Sequence, residues 1–148
     1  MRAVIMRVAR ASVEVGGVEI SSINRGLLIL LGIGKEDTRE DAIKLANKIP
    51  AMKVFENEKA EFSSSIEDIK GEVLVVSQVT LYGSLSKGRK PSFDDCAKKE
   101  IAEALYRDFI SELKSRGLSV KEGKFGAHMH IYIENDGPVT FIIDTKNK

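Results

Sequence analysis

The first third of the chain is rich in short apolar runs that are typical of β-strands. Residues 2 to 15 alternate between polar and apolar positions and are expected to form the first strand. The Gly16-Gly17 pair predicts a tight turn, so that residues 18 to 20 pair with the first strand as a hairpin. Residues 26 to 33 form an uninterrupted apolar run, which indicates a strand buried on both faces.

A first helix is predicted directly after that buried strand. Asp37 or Thr38 can cap its N-terminus, and Pro50 is expected to end it. Between these points apolar residues recur with the helical period, so one face of the helix can pack on the sheet. The residues of this stripe are Ala42, Leu45, Ala46 and Ile49.

A second, longer helix is predicted in the C-terminal half of the chain. Ser92 or Asp94 is its expected cap, and Gly117 is expected to close it. Its apolar stripe repeats with the helical period, so this helix can also pack on the sheet. The stripe consists of Ala97, Ile101, Leu105, Phe109 and Leu113.

The remaining apolar segments predict further strands, and helices remain few. The doubly wound parallel class alternates strand and helix throughout, so that class is excluded. We expect an α+β domain with a mostly antiparallel, barrel-like sheet and two packed helices. The additional strands are predicted at residues 52–55, 73–81, 118–122, 127–133 and 139–144, with an edge strand near residues 62–69.

Composition narrows the class of protein. The 148 residues, with 43% apolar and 30% charged side chains, fit one globular domain spanning residues 1–148. No apolar run approaches the roughly 20 residues of a membrane helix, so no membrane partner is expected. The single cysteine, Cys96, favours a reduced, cytoplasmic protein. A net charge of +1 argues against a grip on long nucleic-acid backbones, so no DNA partner is expected and contact with RNA has to be local.

Polar residues interrupt the predicted strand 73–81. Ser77, Gln78 and Thr80 follow a run of valines and leucine, where hydroxyl and amide groups are unfavourable unless they are hydrogen-bonded. Two interpretations are open at this point. These side chains satisfy a neighbouring loop, or the strand ends in a pocket for which they supply hydrogen-bond donors.

A turn-like hexapeptide, residues 135–140, lies between two β-branched runs near the C-terminus. Asn, Asp and Gly favour a bend, whereas a hairpin would want Asn-Gly or Asp-Gly without the proline found at position 138. An X-Pro bond is the one bond type with a realistic chance of being cis. An ordinary loop remains the simple interpretation of these six residues.

Several chemical sites are suggested only weakly. Lys87, Arg89 and Lys90 precede the predicted second helix, whose N-terminus would favour a phosphate or carboxylate, although solvated surface is the simpler interpretation. His128 and His130 share a strand face, but a zinc site needs three or four ligands, so no metal is expected. Cys96 lies at a predicted helix start, where the pKa of a thiol can fall, but a lone cysteine without a spaced His-Asn partner is more often just a small residue. No Gly-x-Ser-x-Gly elbow supports a serine hydrolase.

Four motifs occur together in a fixed order. Residues 77–83 read Ser-Gln-Val-Thr-Leu-Tyr-Gly, residues 87–93 Lys-Gly-Arg-Lys-Pro-Ser-Phe, residues 125–129 Phe-Gly-Ala-His-Met and residues 135–140 Asn-Asp-Gly-Pro-Val-Thr. With the opening strand around Arg7, they resemble the D-aminoacyl-tRNA deacylases over essentially the whole chain. Four motifs in register are a specific signal, whereas any one alone would be weak.

The resemblance implies a homodimer with its active site at the subunit interface, where the ester between a D-amino acid and the 3′ end of tRNA is hydrolysed. It also implies a cis Gly137-Pro138 bond that enters the partner's pocket and excludes L-amino acids. A backbone wall of this kind would treat many D-amino acids alike and would not exclude glycine, so glycyl-tRNA is expected to be hydrolysed as well.

The resemblance assigns a role to each motif residue. No base is visible beside Thr80, so the ribose 2′-OH is expected to activate the attacking water, with main-chain amides near Gln78 and Phe93 binding substrate. No cofactor is expected. The implied residues are Ser77, Gln78 and Thr80 for catalysis, Pro91, Ser92, Phe93, Phe125 and Met129 for substrate binding, Gly137 and Pro138 for the gate, Arg7 and Asn135 for its support, and Lys87, Arg89 and Lys90 for tRNA phosphates.

Two departures from the family pattern concern substrate detail. Val79 stands where the family usually has Phe, and Arg89-Lys90 replaces a commoner Asn- or Ala-Arg pairing. Two other functions are consistent with the residues alone. One is a non-catalytic RNA-binding protein, and the other is a peptidase-like hydrolase that uses Ser77 or Thr80.

Overall fold

The first strand organises the sheet in the computed structural model, which describes residues 1–147. Strand β1 pairs along one edge with β6, and along the other edge first with β3 and then with β2. It therefore has neighbours on both sides for most of its length. The strands are β1 (Arg2–Val15), β2 (Val18–Ile23), β3 (Gly26–Gly32), β4 (Glu72–Ser77), β5 (Ser119–Glu122) and β6 (His130–Asp144).

The sheet is mixed. The three pairings of β1 are antiparallel, whereas β3–β4 and β4–β5 are parallel. A parallel pair needs a long crossover, and here each of the two long helices supplies one. The expectation of a mostly antiparallel, barrel-like α+β domain is confirmed. The structure adds two parallel pairings, and one long helix connects the strands of each.

The strand order β2-β1-β3-β4-β5 curls until its two ends nearly meet. Side chains rather than a strand ladder bridge the remaining seam. The Ser21 hydroxyl donates to the Glu122 carbonyl at 2.9 Å, and the Lys121 ammonium donates to the Ser22 carbonyl at 2.8 Å. The sheet is therefore a nearly closed barrel.

Two buried clusters lie on the two faces of this sheet. Alternate residues of β3 and β4 divide between them, so that Leu27 and Val73 join one cluster while Leu28 and Leu74 join the other. The larger cluster includes the buried faces of both long helices, and the smaller one fills the interior of the curled sheet. This division explains why β3 has an uninterrupted apolar sequence.

Three helices cover the outer face: α1 (Arg39–Lys48), α2 (Ile66–Ile69) and α3 (Lys99–Ser115). Thr38 caps α1, and the Asp41 carboxylate accepts a hydrogen bond from the Thr38 amide at 2.9 Å. Pro50 lies in a short 3₁₀ turn, Ile49–Ala51, that continues α1 before the chain becomes extended. None of the helices among residues 1–147 is long and apolar enough to cross a membrane.

The predicted start of α3 is wrong. Its N-cap is Lys98, because the preceding residues are held by distant partners: Ser92 forms a β-bridge with Ser84, and Cys96 forms one with Gly34. Ile101, in the first turn, is 51% exposed. The buried stripe instead consists of Leu105, Tyr106, Phe109, Ile110 and Leu113.

Several predicted strands are also corrected. Residues 52–55 and 62–69 contribute only the bridge between Phe55 and Ser64, after which Ser65 caps the one-turn helix α2. Strand β4 ends at Ser77. The two strands predicted at residues 127–133 and 139–144 are one continuous strand, β6.

The packing of α3 predicts a contrast between two apolar residues of the same helix. Leu113 is fully buried, so Leu113→Ala is expected to lower the free energy of unfolding by about 2–5 kcal/mol. Ile101→Ala, at a half-exposed position, is expected to change it by less than about 1 kcal/mol. Urea denaturation of both variants measures the difference. Equal losses would contradict the different burial of the two side chains.

Candidate active site

A bulge interrupts β6 where it passes β1. Thr140 pairs with Met6 and Asn135 pairs with Val8, so residues 136–139 lie opposite the single residue Arg7. Four residues cannot fit into the space of one, and they leave the plane of the sheet. We call residues 136–139 the β6 bulge. The turn-like hexapeptide is thus a protrusion from a continuous strand and not a connection between two strands.

Asn135 closes the base of the β6 bulge. Its side-chain oxygen accepts a hydrogen bond from the Val139 amide, and its side-chain nitrogen donates to the Thr140 hydroxyl, both at 2.8 Å. The amide side chain thereby ties the two flanks of the bulge together. This local bonding replaces the sheet hydrogen bonds that the bulge has lost.

Arg7 reaches under the β6 bulge from β1. Its Nε donates to the Asp136 carbonyl at 3.0 Å, and its Nη1 donates to the Val54 carbonyl at 2.9 Å. Only 13% of the Arg7 side chain is exposed, and its guanidinium lies 6.0 Å from the centre of the Phe62 ring. Arg7 therefore links the bulge to the segment that follows α1.

The tip of the β6 bulge presents main chain to the solvent. The Gly137–Pro138 peptide bond is cis, and Gly137 has a φ of 134°, which side chains rarely allow. A Cβ at position 137 would lie 2.7 Å from Val139 Cγ2 and 3.2 Å from Arg7 Nη2. Glycine is therefore required for this close approach.

A second group of predicted residues lies at the end of β4. The Gln78 amide donates to the Leu31 carbonyl at 2.8 Å, after which the chain turns into a 3₁₀ segment, Val79–Tyr82. We call this segment the 79–82 turn. The strand predicted at residues 73–81 is therefore too long, because β4 ends at Ser77. Thr80 is exposed, and its hydroxyl accepts a hydrogen bond from the Gln78 side-chain amide.

The basic loop and Phe93 lie next to the 79–82 turn. Ser84 and Ser92 exchange two backbone hydrogen bonds, of 2.8 and 2.7 Å, and so close a loop that projects Lys87, Arg89 and Lys90 into solvent together with Pro91. These cations are seven or more residues ahead of α3, so the expected helix N-terminus beside them is wrong. The ring of Phe93 packs on Gly83, where a Cβ would lie 3.1 Å from Phe93 Cε1.

Phe125 and Met129, on the connection between β5 and β6, pack into the protein. The Phe125 ring lies 5.4 Å from that of Tyr106, in the larger buried cluster. Met129 packs against the smaller cluster, and its sulfur accepts a hydrogen bond from the Lys124 amide at 3.4 Å. Within a single chain both side chains therefore contribute to core packing.

The weaker chemical candidates do not assemble into a reactive centre. Cys96 precedes α3, and burial together with the nearby Asp95 carboxylate raises the pKa of its thiol, so the thiol is not activated as a nucleophile. Its sulfur donates to the Val79 carbonyl at 3.6 Å. Within residues 1–147, no group of three or more His, Cys, Asp or Glu side chains is placed to hold a metal ion.

The predicted site residues thus form two groups. The first comprises the end of β4, the 79–82 turn and Phe93, and the second comprises the β6 bulge with Arg7 and Asn135. In the part of the chain that the structure describes, no hydrogen bond joins them. Two surface cavities, at residues 66–71 with 116–119 and at residues 19–22 with 121–122, include none of the predicted site residues.

Strand β6 exposes large apolar side chains on either side of the bulge. Ile142 is 75% exposed, and Tyr132, Ile133 and Phe141 are at least 40% exposed. Exposed apolar side chains clustered along an edge strand are typical of an interaction site. We call these four side chains the β6 apolar face.

Known proteins resemble this chain over nearly its whole length. Residues 4–144 match the model of the D-Tyr-tRNA(Tyr) deacylase family. This chain belongs to that family. Curated relatives called D-aminoacyl-tRNA deacylase include one from Persephonella marina, 54% identical over 146 residues, and one from Aquifex aeolicus, 51% identical over 146 residues. In each case 99% of both chains is covered.

Two solved structures share the deacylase fold of this chain. One, titled c-Myc DNA Unwinding Element Binding Protein, has a TM-score of 0.91 and 44% identity and covers 97% of this chain and 98% of its own. The other, titled as a probable eukaryotic D-amino acid tRNA deacylase, has a TM-score of 0.81 with 20% identity, and covers 96% and 97% respectively. The family predicted from the four motifs is confirmed.

Sequence reasoning missed several residues around the deacylase motifs. Arg7 donates to the carbonyl of Val54, which is a main-chain group, so the identity of residue 54 does not indicate this contact. Phe62, with a positive φ of 52°, stacks edge-on against Phe141 at 6.3 Å, and nothing in the sequence signals this pairing. The β6 apolar face could have been found from the sequence. A strand with one buried face needs apolar residues only at alternate positions, whereas these four residues form two adjacent pairs.

Proposed function

We propose that this protein hydrolyses the ester of D-aminoacyl-tRNA to free tRNA and D-amino acid, and that it rejects L-aminoacyl-tRNA at the β6 bulge. The observation that carries the proposal is the bulge itself, an exposed stretch of main chain held by Arg7 and Asn135 in a member of the deacylase family. A rigid main-chain surface can exclude a side chain by its direction without reading its chemistry. The reaction would take place in the cytoplasm, where charged tRNA is used.

The working form of the enzyme is a homodimer in this proposal. No hydrogen bond joins the two groups of site residues within the described chain, whereas the β6 apolar face beside the bulge offers a surface for a second copy. In a symmetric pair the β6 bulge of one subunit would reach the 79–82 turn of the other. Each active site would then consist of residues from both chains.

The chirality gate consists of Gly137 and Pro138 in this arrangement. An L side chain attached to the ester would collide with the tip of the partner's bulge, while a D side chain would point away from it. Support for a fixed wall comes from the three hydrogen bonds that Arg7 and Asn135 make to Asp136, Val139 and Thr140. Glycine carries no side chain to exclude, so glycyl-tRNA would pass the gate.

Hydrolysis would proceed by attack of water and without a covalent intermediate. An aminoacyl ester is already reactive, so a positioned water and oxyanion donors could each contribute several kcal/mol. Among residues 1–147 no carboxylate or imidazole is hydrogen-bonded to Thr80, whose hydroxyl is bonded to the Gln78 amide. The terminal ribose 2′-OH would therefore activate the water. Thr80, Gln78 and Ser77 would position the substrate.

Substrate contacts would come from the residues around the 79–82 turn. The main-chain amides of Gln78 and Leu81 are bonded to the carbonyls of Leu31 and Gln78, respectively. The donors to the ester would therefore be the amides at the start of the turn, at positions 79 and 80, and that of Phe93. Ser92 and Pro91 would shape the approach, and Phe125 and Met129 would support the floor of the pocket from the core. Val79, which is 57% exposed, leaves room where the family usually has an aromatic ring.

Contact with the tRNA would remain local. The exposed cations Lys87, Arg89 and Lys90 project on one loop and could neutralise a few phosphates near the 3′ end. A footprint of this size agrees with the net charge of +1, which is low for a protein that grips a long stretch of RNA.

A three-substrate assay tests the proposed specificity. Purified protein is expected to release D-tyrosine and glycine from charged tRNA and to leave L-tyrosyl-tRNA intact, because only the L side chain meets the gate. Release is measured as the loss of acid-precipitable label against a no-enzyme control. Full resistance of glycyl-tRNA under conditions that clear D-tyrosyl-tRNA would contradict the main-chain gate. Binding of tRNA with no release would indicate a non-catalytic RNA-binding protein.

The role of Thr80 is tested by removing its hydroxyl. Thr80→Ala is expected to keep the single-turnover rate within about tenfold of the wild type, since the hydroxyl is not the nucleophile. In contrast, D-aminoacyl-tRNA that lacks the terminal 2′-OH is expected to lose several orders of magnitude in rate. A drop of that size in Thr80→Ala, with an unchanged circular dichroism spectrum, would restore Thr80 as nucleophile.

The dimer is tested by placing a charge on the β6 apolar face. Ile142→Asp is expected to raise the dimer dissociation constant by at least about tenfold, because a carboxylate would be buried without a partner. Sedimentation and activity at low protein concentration measure the effect, and both are expected to recover at high concentration. The control is Ile20→Asp on β2, also exposed but off the face. An active monomer of Ile142→Asp would contradict an interface site.

A further inference from the structure

The side chain of Tyr82, in the 79–82 turn, contacts several other elements of the protein. Its ring lies against the last residue of β3, Gly32, and against Gly34, two residues further along the chain. A Cβ at Gly34 would lie 2.5 Å from Tyr82 Cε1, and one at Gly32 would lie 3.3 Å from Tyr82 Cδ2. The ring therefore occupies space that any side chain at these two positions would fill. The two glycines, at positions 32 and 34, end an otherwise apolar run, and this is the sequence feature that corresponds to the contact.

Arg2 covers the Tyr82 ring and the main chain of the turn. Its guanidinium carbon lies 4.3 Å from the ring centroid, and its Nη1 donates to the Leu81 carbonyl at 2.9 Å. The Arg2 Nε donates to the Asp144 carboxylate at 2.9 Å, which fixes the guanidinium in this orientation. The turn is thus held between β3 and the paired ends of β1 and β6.

The Tyr82 hydroxyl points to a buried carboxylate. It donates to Asp37 Oδ2 at 3.4 Å, and that oxygen also accepts from the Gly34 amide at 2.7 Å. The other oxygen of Asp37 accepts from the Met1 amino group at 2.6 Å, and the Asp37 side chain is only 2% exposed. Burial and the Asp37 charge raise the pKa of Tyr82, so its hydroxyl stays protonated as a donor.

The outward residues of the turn have no comparable support. Val79 is 57% exposed and Thr80 is exposed, and the contact to Val79 among the described residues is the long hydrogen bond from Cys96 to its carbonyl. Leu81 is half-buried and lies close to Gly32, where a Cβ would be 2.8 Å from Leu81 Cβ. The position of the turn therefore depends on its two inward side chains and on the carbonyl bond from Arg2, and Tyr82 alone of the two adds contacts to Gly34 and Asp37. A displacement of about 1 Å at a reacting centre can cost about 100-fold in rate.

We infer that Tyr82 is a positioning residue for the deacylation reaction, which holds the 79–82 turn, and with it Gln78 and Thr80, against the substrate ester. The inference rests on the proposed function, which places this turn at the ester. The ring, wedged between the glycines and Arg2, supplies most of the fixation, and the hydroxyl bond to Asp37 adds orientation. The amide donors of the turn are thereby ordered before the substrate arrives.

The test compares Tyr82→Ala, Tyr82→Phe and the core variant Leu113→Ala. Tyr82→Ala is expected to lower the single-turnover rate on D-tyrosyl-tRNA about 30- to 100-fold with KM within about threefold of wild type. Tyr82→Phe keeps the ring and is expected to restore the rate to within about threefold. Leu113→Ala lowers the melting temperature but leaves the rate of the folded enzyme unchanged, so a loss that tracks stability alone would overturn the inference.

Hydrogen exchange of the peptide spanning residues 78–83 separates this inference from the proposed function. Tyr82→Ala is expected to speed exchange there, with β3 and α1 still protected. If the peptide remains protected, Tyr82 does not hold the turn and the inference fails while the proposed function stands. If exchange rises but the single-turnover rate is unchanged, the 79–82 turn does not lie at the reacting ester. The inference then fails, and the proposed placement of the turn at the ester fails as well.

Discussion

The register between β1 and β6 is the constraint on which the candidate site depends. Thr140 opposite Met6 and Asn135 opposite Val8 fix both flanks of the bulge through ladder hydrogen bonds. The four residues between them have no place in the sheet and must leave it. Arg7 is the single residue opposite the gap, so it is the side chain on β1 that can reach beneath the protrusion. The support of the bulge is therefore a consequence of strand pairing.

The same strand carries the β6 apolar face. An edge strand with exposed Phe141 and Ile142 would be prone to unwanted association unless a partner covers it. A symmetric second copy would bury this face and would bring each bulge to the other subunit in one step. A change of register in β6 would shift the bulge and the apolar face together, since a slip by one residue turns every side chain to the opposite side of the sheet.

Both groups of site residues present main chain more than reactive side chains. The β6 bulge offers a glycine and a proline, and the 79–82 turn offers peptide amides beside a threonine that is bonded to an amide side chain. Each is held from behind by an arginine that donates to a main-chain carbonyl: Arg7 to Asp136, and Arg2 to Leu81. Such a site suits a reaction whose ester is already reactive, because positioning and charge stabilisation are then most of what the protein has to supply.

Local periodicity in the sequence was sufficient for the β1–β2 hairpin, the buried strand β3, helix α1 and the body of α3, because each depends on its own pattern of apolar residues. Motif order was sufficient for the family. The continuity of β6 was not predictable, because residues 135–140 favour a turn locally and only pairing with β1 keeps the strand straight on both sides. Likewise, α3 starts late because Cys96 bridges to Gly34, a partner more than sixty residues away. The sequence by itself determined the local conformation that each segment prefers. The tertiary structure decided where pairing with distant backbone overrides that preference. Such pairing uses main-chain carbonyl and amide groups, which are nearly the same in every residue and therefore leave no pattern in the sequence.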